Sequence, residues 1–273
     1  MSMDNALTSA PPSAAAVTPL LTTRFLGRQF IYEQELVSTN RSALELAEAG
    51  CPAGLIVVAE TQSGGRGRMT RSWFSPPGRN LYFSFVLRPS IEPAMVPQLA
   101  LLAALSLRRA LLEQCPSWPL KCKWPNDLWA DGRKISGILC EMNCRDMKTS
   151  HVVVGIGVNV NVSREELPPE LRDSAGSLCQ LAGRALPRAD ILAAILNHFE
   201  SDYNQWLADG GLTAFLDEWR SASVLDNCAV KVEQNGQLHQ GVARGITPEG
   251  FLRLEQADGS IRTIHAGDVH VLR

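Results

Sequence analysis

Short apolar runs rich in β-branched and aromatic residues predict the central strands of the fold. Residues 55–59 are entirely apolar, and residues 81–87 are apolar except for one serine. Residues 152–161 form a third run, which two glycines interrupt. Runs of this length are typical of strands in the interior of a sheet. Residues 28–37 alternate between apolar and polar and predict a further strand. A glycine inside a strand indicates either close approach of a ligand or backbone, or a bulge.

Apolar residues at helical spacing predict four helices. The longest, over residues 93–115, is rich in leucine and alanine and is expected to pack across the sheet. A shorter helix is predicted after the polar residues 38–40, because Ser, Thr and Asn cap helix starts, and a glycine ends it. Two further helices are predicted at about residues 189–208 and 212–221.

The segment 120–141 predicts two strands joined by a tight hairpin at Asp131-Gly132. Pro125 cannot donate a backbone hydrogen bond inside a central ladder, so it indicates a bulge or the end of a strand. From residue 226 onward, short strands alternate with turn residues. This pattern predicts a small all-β barrel at the C-terminus.

Residues 1–24 are rich in Ala, Pro, Ser and Thr and contain no basic residue before Arg24. Their composition predicts a disordered leader rather than a secretory signal, which needs a basic start and a longer apolar core. From the sequence, we expect no apolar run that is long enough to span a membrane. We therefore expect a leader at 1–24, a main domain at 25–225 and a barrel at 226–273, with no membrane partner.

Composition narrows the classes of function. The formal net charge is -2 and the sequence pI is about 6.2, which argues against a general nucleic-acid binder. The seven cysteines are scattered and odd in number, so free thiols in a reducing cytoplasm are expected. Cys140 and Cys144 have no second pair nearby, which disfavours zinc. The five histidines are dispersed and are interpreted as structural or surface residues.

A Gly- and Arg-rich loop, residues 60–73, lies between two predicted core strands. Its glycines allow close approach to backbone N–H groups, and its arginines match phosphate or carboxylate oxygens. No Asp or Glu occurs between residues 61 and 91, so the local field is positive. The loop lacks the Gly-Lys-Ser/Thr of a Walker A loop and the third glycine of the dinucleotide fingerprint. A solvated loop or an RNA-binding patch from Arg66 to Arg88 stays open as an alternative.

A second dense block surrounds Pro125. Lys123, Asn126 and Asp127 gather at this irregular point. Asp127 could orient a cation or bind Mg²⁺ together with water. Lys134 lies among apolar neighbours, so its side chain could either reach out to water or point into a pocket as a fixed positive charge.

Four blocks, in this order, make the sequence resemble the biotin protein ligases over residues 25–273. They are Ser38-Thr39-Asn40; Glu60-Thr61-Gln62 with Gly65-Arg66-Gly67-Arg68 and Trp73; Lys123-Trp124-Pro125-Asn126-Asp127 with the segment from Gly132 to Leu139; and Gly155-Ile156-Gly157-Val158-Asn159-Val160-Asn161. Each block alone is weak evidence for the resemblance, whereas all four blocks together with the terminal barrel are specific for this family.

The resemblance implies an α+β fold. It combines a mixed β-sheet catalytic domain of the class II aminoacyl-tRNA synthetase type, with flanking helices, and a C-terminal SH3-like barrel. It also implies a ligase with two half-reactions. Biotin and ATP, with Mg²⁺, would form biotinoyl-5′-AMP, and a lysine of a biotin carboxyl-carrier protein would then accept the biotinyl group.

The resemblance also implies roles for residues of this sequence. Lys134 matches the central lysine, and Lys123, Arg66 and Arg68 complete the implied catalytic set. The implied biotin site consists of Ser38, Thr39, Asn40, Gln62, Arg66, Gly67, Arg68, Lys134, Gly137 and Leu139, with Ile138 in its apolar wall. The implied ATP and adenylate site consists of Arg66, Arg68, Arg71, Trp73, Lys123, Asn126, Asp127, Gly155, Gly157 and Asn159. Asp127 is the implied Mg²⁺ ligand.

Some members of the family carry an N-terminal helix-turn-helix and act as repressors. The short segment before residue 25 predicts ligase activity without DNA binding. A lipoate or octanoate ligase or transferase of the same fold is the main alternative, although the two basic blocks favour biotin. Monomer and homodimer stay equally open, and the carrier protein is not identified by the sequence.

Overall fold

The protein is described by a computed structural model over residues 10–145, 148–234 and 236–272. Its main sheet contains β1 (Phe30–Leu36), β2 (Ile56–Gln62), β3 (Leu81–Leu87), β4 (Leu120–Lys123), β5 (Asp127–Ala130), β6 (Arg133–Arg145) and β7 (Lys148–Val158). The strand order is β1-β2-β3-β7-β6-β5-β4. Only the β1–β2 pair is parallel among these neighbours, so the predicted mixed sheet is confirmed.

The helices are α1 (Ala14–Val17), α2 (Thr39–Glu48), α3 (Val96–Gln114), α4 (Leu178–Ala182), α5 (Arg188–Asp209) and α6 (Leu216–Ala222). The helices α3 and α5 pack against each other on one face of the sheet, which we call the back face. The helix α2 packs on the other, front face, where Ala43 and Ala47 contact Val57, Val86 and Val153. Helix α2 covers only part of this face, and the remainder carries the cleft described below.

The turns near the second basic block follow the sequence expectations. Asp131 and Gly132 both have positive φ, 47° and 74°, as a tight hairpin of the primed type requires. Pro125 lies between the end of β4 and the start of β5, in a cis peptide bond with Trp124. The predicted strand end is therefore confirmed.

The helical segment Pro93–Gln114 is long and apolar enough, by length and composition, to cross a membrane. The sequence expectation that no run reaches that length is therefore wrong. In the structure 72% of its most apolar window is buried, between the sheet and α5. Such burial is typical of the central helix of a folded domain.

The C-terminal residues form an all-β unit, as predicted. It contains β8 (Ala229–Gln234), β9 (Gln237–Ile246), β10 (Leu252–Glu255), β11 (Ile261–Ile264) and β12 (Asp268–Val271) in the order β11-β10-β9-β8-β12. All of its neighbouring pairs are antiparallel. The Trp124 indole N–H donates to the Gly250 carbonyl at 3.0 Å, so this unit is joined directly to the segment between β4 and β5.

The prediction of a disordered leader is wrong for residues 10–24, while residues 1–9 lie outside the described part of the chain. Val17 is fully buried and belongs to the main core. The Glu200 carboxylate of α5 accepts hydrogen bonds from the backbone N–H groups of residues 24–26. Composition did not predict this packing. A few apolar residues are sufficient to order a segment when they can pack against a long helix elsewhere in the chain.

Candidate active site

A cleft of about 470 Å³ opens on the front face of the sheet between the Gly/Arg loop and the C-terminal unit. Every residue predicted for the biotin or nucleotide site lines this cleft. They are Ser38, Thr39, Asn40, Gln62, Arg66, Gly67, Arg68, Arg71, Trp73, Lys123, Asn126, Asp127, Lys134, Gly137, Leu139, Gly155, Gly157 and Asn159. The fold thus brings together residues that are up to 121 positions apart, from 38 to 159.

Glycines on adjacent strands form the floor of the cleft. Gly137 of β6 pairs in register with Gly157 of β7, and Leu139 pairs with Gly155. Side chains on a strand alternate between faces, so these residues share the front face. A Cβ at residue 157 would lie 2.5 Å from the Trp73 indole, and one at residue 155 would overlap the Asn40 amide. Glycine is required because other side chains of the protein occupy the space.

The loop folds back on itself above this floor. The Gly67 N–H donates to the Arg71 carbonyl at 2.7 Å, and the Trp73 N–H donates to the Gly65 carbonyl at 2.9 Å. The Trp73 indole then lies over Gly137 and Gly157. Its Nε1 is buried and has no hydrogen-bond acceptor among the described residues. The Trp73 ring therefore lies against the floor inside the cleft.

Hydroxyl and amide groups line one end of the cleft, where α2 begins. The Gln62 Oε1 atom accepts from the Thr39 N–H at 2.9 Å and lies 3.2 Å from the Thr39 hydroxyl. The Ser84 hydroxyl lies 2.8 Å from the Thr39 hydroxyl and 2.6 Å from Asn40 Oδ1. We call this group, with Ser38, the polar end. Ser38 is the N-cap of α2 by backbone geometry, but its side chain makes no capping hydrogen bond.

Lysine and arginine side chains line the opposite, cationic end. The Lys134 ammonium lies 2.7 Å from Asp127 Oδ1 and 5.4 Å from the centroid of the Trp73 ring. Lys134 therefore points into the cleft, and the alternative of a side chain reaching out to water is excluded. The Lys123 ammonium lies 4.1 Å from the Trp129 ring centroid.

The loop arginines at this end contact the C-terminal unit. Arg68 donates to Asn126 Oδ1 at 3.2 Å and to the Gly267 carbonyl at 3.4 Å, and Arg71 forms an ion pair with Asp268. Burial lowers the pKa of Arg68, although the carboxylates of Asp268 and Asp127 oppose this shift. Partly dehydrated cations gain free energy when a ligand brings negative charge to them.

Lys123 experiences the same environment. Burial is the largest cause that lowers its pKa, the nearby Asp127 carboxylate raises it, and the Lys134 ammonium lowers it further. A phosphate or carboxylate at this end would relieve both the loss of hydration and the repulsion between the two ammonium groups. The cationic end can therefore hold an anionic group.

A resident Mg²⁺ site does not fit this arrangement. Asp127, the predicted ligand, already contacts Lys134. In residues 10–145, 148–234 and 236–272 no group of three or more His, Cys, Asp or Glu side chains could hold a metal ion. Mg²⁺ prefers several oxygen ligands and often arrives with phosphates.

Two of the implied site residues contact other parts of the protein. The charged partner of Arg66 is Glu141, at 3.3 Å, beyond the polar end. The Asn159 amide N–H donates to the Gly176 carbonyl at 3.0 Å. It thus supports the segment from Leu167 to Ala175 that lines the same cleft.

Sequence reasoning missed residues around and inside the cleft. Ser84 and Glu141 contact the lining residue Asn40 from behind; Ser84 was recognisable as the one polar residue of an apolar strand, and Glu141 follows Gly137 and Leu139 at the strand period of two. Asp268 and His270 line the cleft itself, so the interpretation of His270 as merely structural or surface is incomplete. No local signal marks them, since they come from the C-terminal unit.

Comparison with known proteins gives consistent results. The sequence profile of the Biotin/lipoate A/B protein ligase family matches residues 33–159, and that of the biotin protein ligase C-terminal domain matches residues 227–272. The chain is 37% identical over 251 residues to the bifunctional ligase/repressor BirA of Bacillus subtilis, covering 92% of this chain and 76% of the relative. It is 33% identical to the biotin–[acetyl-CoA-carboxylase] ligase of Mycobacterium tuberculosis, covering 90% of both.

The structural comparison agrees. The biotin protein ligase from Aquifex aeolicus, solved in complex with biotin and ATP, superposes with a TM-score of 0.76 at 30% identity and covers 90% of this chain and 99% of that one. Both sequence matches and the superposition extend over the sheet and the C-terminal unit. The chain therefore belongs to the biotin protein ligase family and is a ligase enzyme.

Proposed function

We propose that the protein activates biotin with ATP and transfers the biotinyl group to a lysine of a biotin carboxyl-carrier protein of the acetyl-CoA carboxylase type. In the first step a biotin carboxylate oxygen attacks the α-phosphorus of ATP, forming biotinoyl-5′-AMP and releasing pyrophosphate. In the second step the lysine amine attacks the acyl carbon. An amide forms, AMP leaves with the bonding electron pair, and the amine releases a proton.

The observation that carries the proposal is the division of one cleft into a polar end and a cationic end. The first step must bring a carboxylate against a triphosphate, and like charges repel unless fixed cations lie between them. Lys123, Lys134 and Arg68 supply such cations at one end of the cleft. Because these groups are already positioned, little reorganisation is needed when charge develops.

The polar end suits a neutral, hydrogen-bonding ring system. Thr39, Asn40 and Gln62 present hydroxyl and amide groups, and each of these side chains is held by neighbours within the protein. Leu139, beside the glycine floor, supplies apolar contact. A cleft with apolar walls and a few fixed polar groups is the usual form of a small-molecule site. We assign this end to the biotin rings, with the carboxylate directed toward Lys134.

The loop and the C-terminal unit cover the cationic end together. Arg68 and Arg71 contact the Gly267 carbonyl and Asp268, respectively. An acyl-adenylate is hydrolysed by water, so a cover that excludes solvent protects the intermediate until the carrier lysine arrives. In this assignment Mg²⁺ enters as part of the MgATP substrate. The seven cysteines are all free thiols, which supports a reducing, cytoplasmic location.

Two alternatives are less well supported. The profile over residues 33–159 covers biotin and lipoate ligases together, but the profile over residues 227–272 is that of the biotin protein ligase C-terminal domain. An RNA-binding patch would use the arginines from Arg66 to Arg88, but it leaves the position of Lys134 in the cleft without a role. Arg68 and Arg71 are moreover bonded to the Gly267 carbonyl and Asp268 of the C-terminal unit.

The test is transfer of biotin to a purified carrier domain, followed by mass spectrometry, with MgATP and lipoate as the parallel acid. We expect a biotin-sized mass gain and none with lipoate. Lys134→Ala should lower the rate by about 10²–10³-fold, the effect of removing one fixed group that stabilises developing charge. Lys148→Ala, an exposed lysine outside the cleft, is the matched control and should act like wild type. A mass gain on the carrier with lipoate alone would show that the substrate is lipoate. No mass gain with either acid would refute the proposal.

A further inference from the structure

A continuous series of polar contacts leads from Ser75, just after the Gly/Arg loop, through the polar end of the cleft to Arg66 in the middle of the loop. It begins at Ser75, whose hydroxyl accepts from Gln62 Nε2 at 3.1 Å. It continues through Thr39, Ser84 and Asn40, as described above. The Asn40 amide then donates to Glu141 Oε2 at 2.8 Å.

Glu141 closes this series on the loop. The Arg66 Nη2 atom lies 3.3 Å from both Glu141 carboxylate oxygens. The Arg66 side chain is 48% exposed and that of Glu141 is 27% exposed, so their attraction is modest. Within the described residues, the ion pair that Arg66 forms is nevertheless with Glu141. It contacts a side chain assigned to biotin binding and a loop arginine at the same time.

The position of Glu141 on its strand separates Arg66 from the other cations. Gly137, Leu139 and Glu141 alternate along β6 and share the front face. Gly137 pairs with Asp127 at the cationic end, while Glu141 lies four residues farther along the strand. That separation is about 13 Å between Cα atoms at the usual rise of a strand. The Glu141 carboxylate thus attracts Arg66 away from the end where Lys134 lies.

We propose that Glu141 is a positioning residue: it draws the cleft-lining Arg66 guanidinium away from the biotin carboxylate, and then from the adenylate phosphate, which would attract Arg66 toward Lys134. This inference rests on the proposed function, because it takes biotin as the ligand. Without ligand, the contacts of Glu141 with Arg66 and Asn40 hold the loop against the sheet. The ion pair with Arg66 also lowers the affinity for an anionic ligand, since binding through Arg66 requires the Glu141 contact to break.

The decisive comparison uses a charged and an uncharged ligand. In Glu141→Gln the amide oxygen still accepts from Asn40, but the negative charge that holds Arg66 is gone. Isothermal titration calorimetry should show that the variant binds biotin about three- to fivefold more tightly, the size of effect expected from a partly exposed ion pair. Binding of biotinamide, which has no carboxylate, should change by less than about twofold.

Two further proteins serve as controls. Glu45→Gln removes one negative charge from the neighbouring helix, where Glu45 pairs with Arg41 at 2.9 Å, and should alter neither affinity. In an Arg66→Gln background, Glu141→Gln should no longer affect biotin binding, because the group it competes for is absent. Unchanged or weaker biotin binding in Glu141→Gln, or an equal change for biotinamide, would overturn the proposal.

A second measurement does not depend on biotin. Trypsin cuts after the loop residues Arg66, Arg68 and Arg71, so the initial rate of cleavage reports how firmly the loop is held. Without biotin, Glu141→Gln should raise the cleavage rate after Arg66 about threefold, whereas Glu45→Gln should not. An unchanged rate would overturn the role of Glu141 in holding the loop. Failure of wild type to bind biotin, with the increased cleavage retained, would refute the proposed function and leave the contact established.

Discussion

The two faces of the seven-stranded sheet are built from the same strands but have different roles: the back face packs in the core, and the front face carries the cleft. On the back face Phe83 and Phe85 are fully buried, and Phe85 packs against Phe199 of α5 with ring centroids 4.7 Å apart. On the front face the residue between them is Ser84, which joins the polar end of the cleft. Since side chains alternate along a strand, one residue separates a position that stabilises the fold from one that shapes the site.

The same alternation occurs in β7. Ile156 is 3% exposed and belongs to the main core, although it also borders the cleft. The neighbouring Gly157 faces Trp73 on the front. If the two faces are energetically distinct, substitutions on the back should reduce stability, and substitutions on the front should reduce ligand binding. Three measurements test this separation.

The largest effect is expected on the back face. Phe85→Ala should lower the free energy of unfolding by about 3–5 kcal/mol, because it removes a fully buried ring and leaves a cavity under α5. Denaturant unfolding with two spectroscopic probes measures this change. Ser84→Ala on the adjacent front position is the comparison and should cost less than about 1.5 kcal/mol. Equal losses for the two variants would show that the faces do not differ in this way.

Neighbouring residues in β7 give a finer test. Gly157→Ala places a methyl group 2.5 Å from the Trp73 ring, so the ring must shift. We expect a roughly tenfold to hundredfold lower kcat/KM for biotin transfer, equivalent to about 1.4–2.7 kcal/mol, with little loss of stability. Ile156→Val should instead cost about 0.5–1.5 kcal/mol of stability and leave kcat/KM within about twofold. The separation fails if the two variants show the same ratio of activity loss to stability loss.

The smallest effect is expected from the titration of His151, which should make the free energy of unfolding depend on pH. This side chain is 3% exposed, and burial, followed by the Arg88 charge, lowers its pKa while Glu48 opposes the shift. The neutral form is therefore favoured in the folded protein. The unfolded chain takes up a proton near pH 6.5, so stability should be complete above that pH and decrease as pH falls toward the lower folded pKa.

His151→Gln provides the measurement. The decrease in denaturant midpoint between pH 7.5 and pH 5.5 should be smaller in the variant than in wild type, because one source of proton uptake on unfolding is removed. Identical decreases would mean that other groups control this pH range. Arg145 also faces His151 and lowers its pKa slightly, so Arg145→Gln should make the wild-type decrease a little smaller.

Much of the fold was predictable because its signals are local. The apolar run 81–87 became β3 without any change of boundary. The predicted helices 189–208 and 212–221 correspond to Arg188–Asp209 and, after a 3-10 turn, Leu216–Ala222. The segment 10–24 was predicted incorrectly, since its order depends on Glu200 and the surface of α5, which are distant in sequence.

The composition of the site was also largely predictable, whereas its internal contacts were not. Motifs named the residues that line the cleft, including Lys134, Arg68 and Gln62. They did not show that Trp73 lies on the glycine floor or that Arg66 pairs with Glu141. Those facts depend on which side chains meet across strands and loops, and no motif carries that information.

The sequence by itself determined the strand and helix types, the positive Gly/Arg loop and the family of the chain. Each of these depends on residue types at short spacing. Only the tertiary structure decided that Gly155 and Gly157 leave room for Asn40 and Trp73, and that Asp268 of the last strand reaches Arg71. Such contacts join residues up to 197 positions apart, and they form because packing and charge pairing act through space, not along the chain.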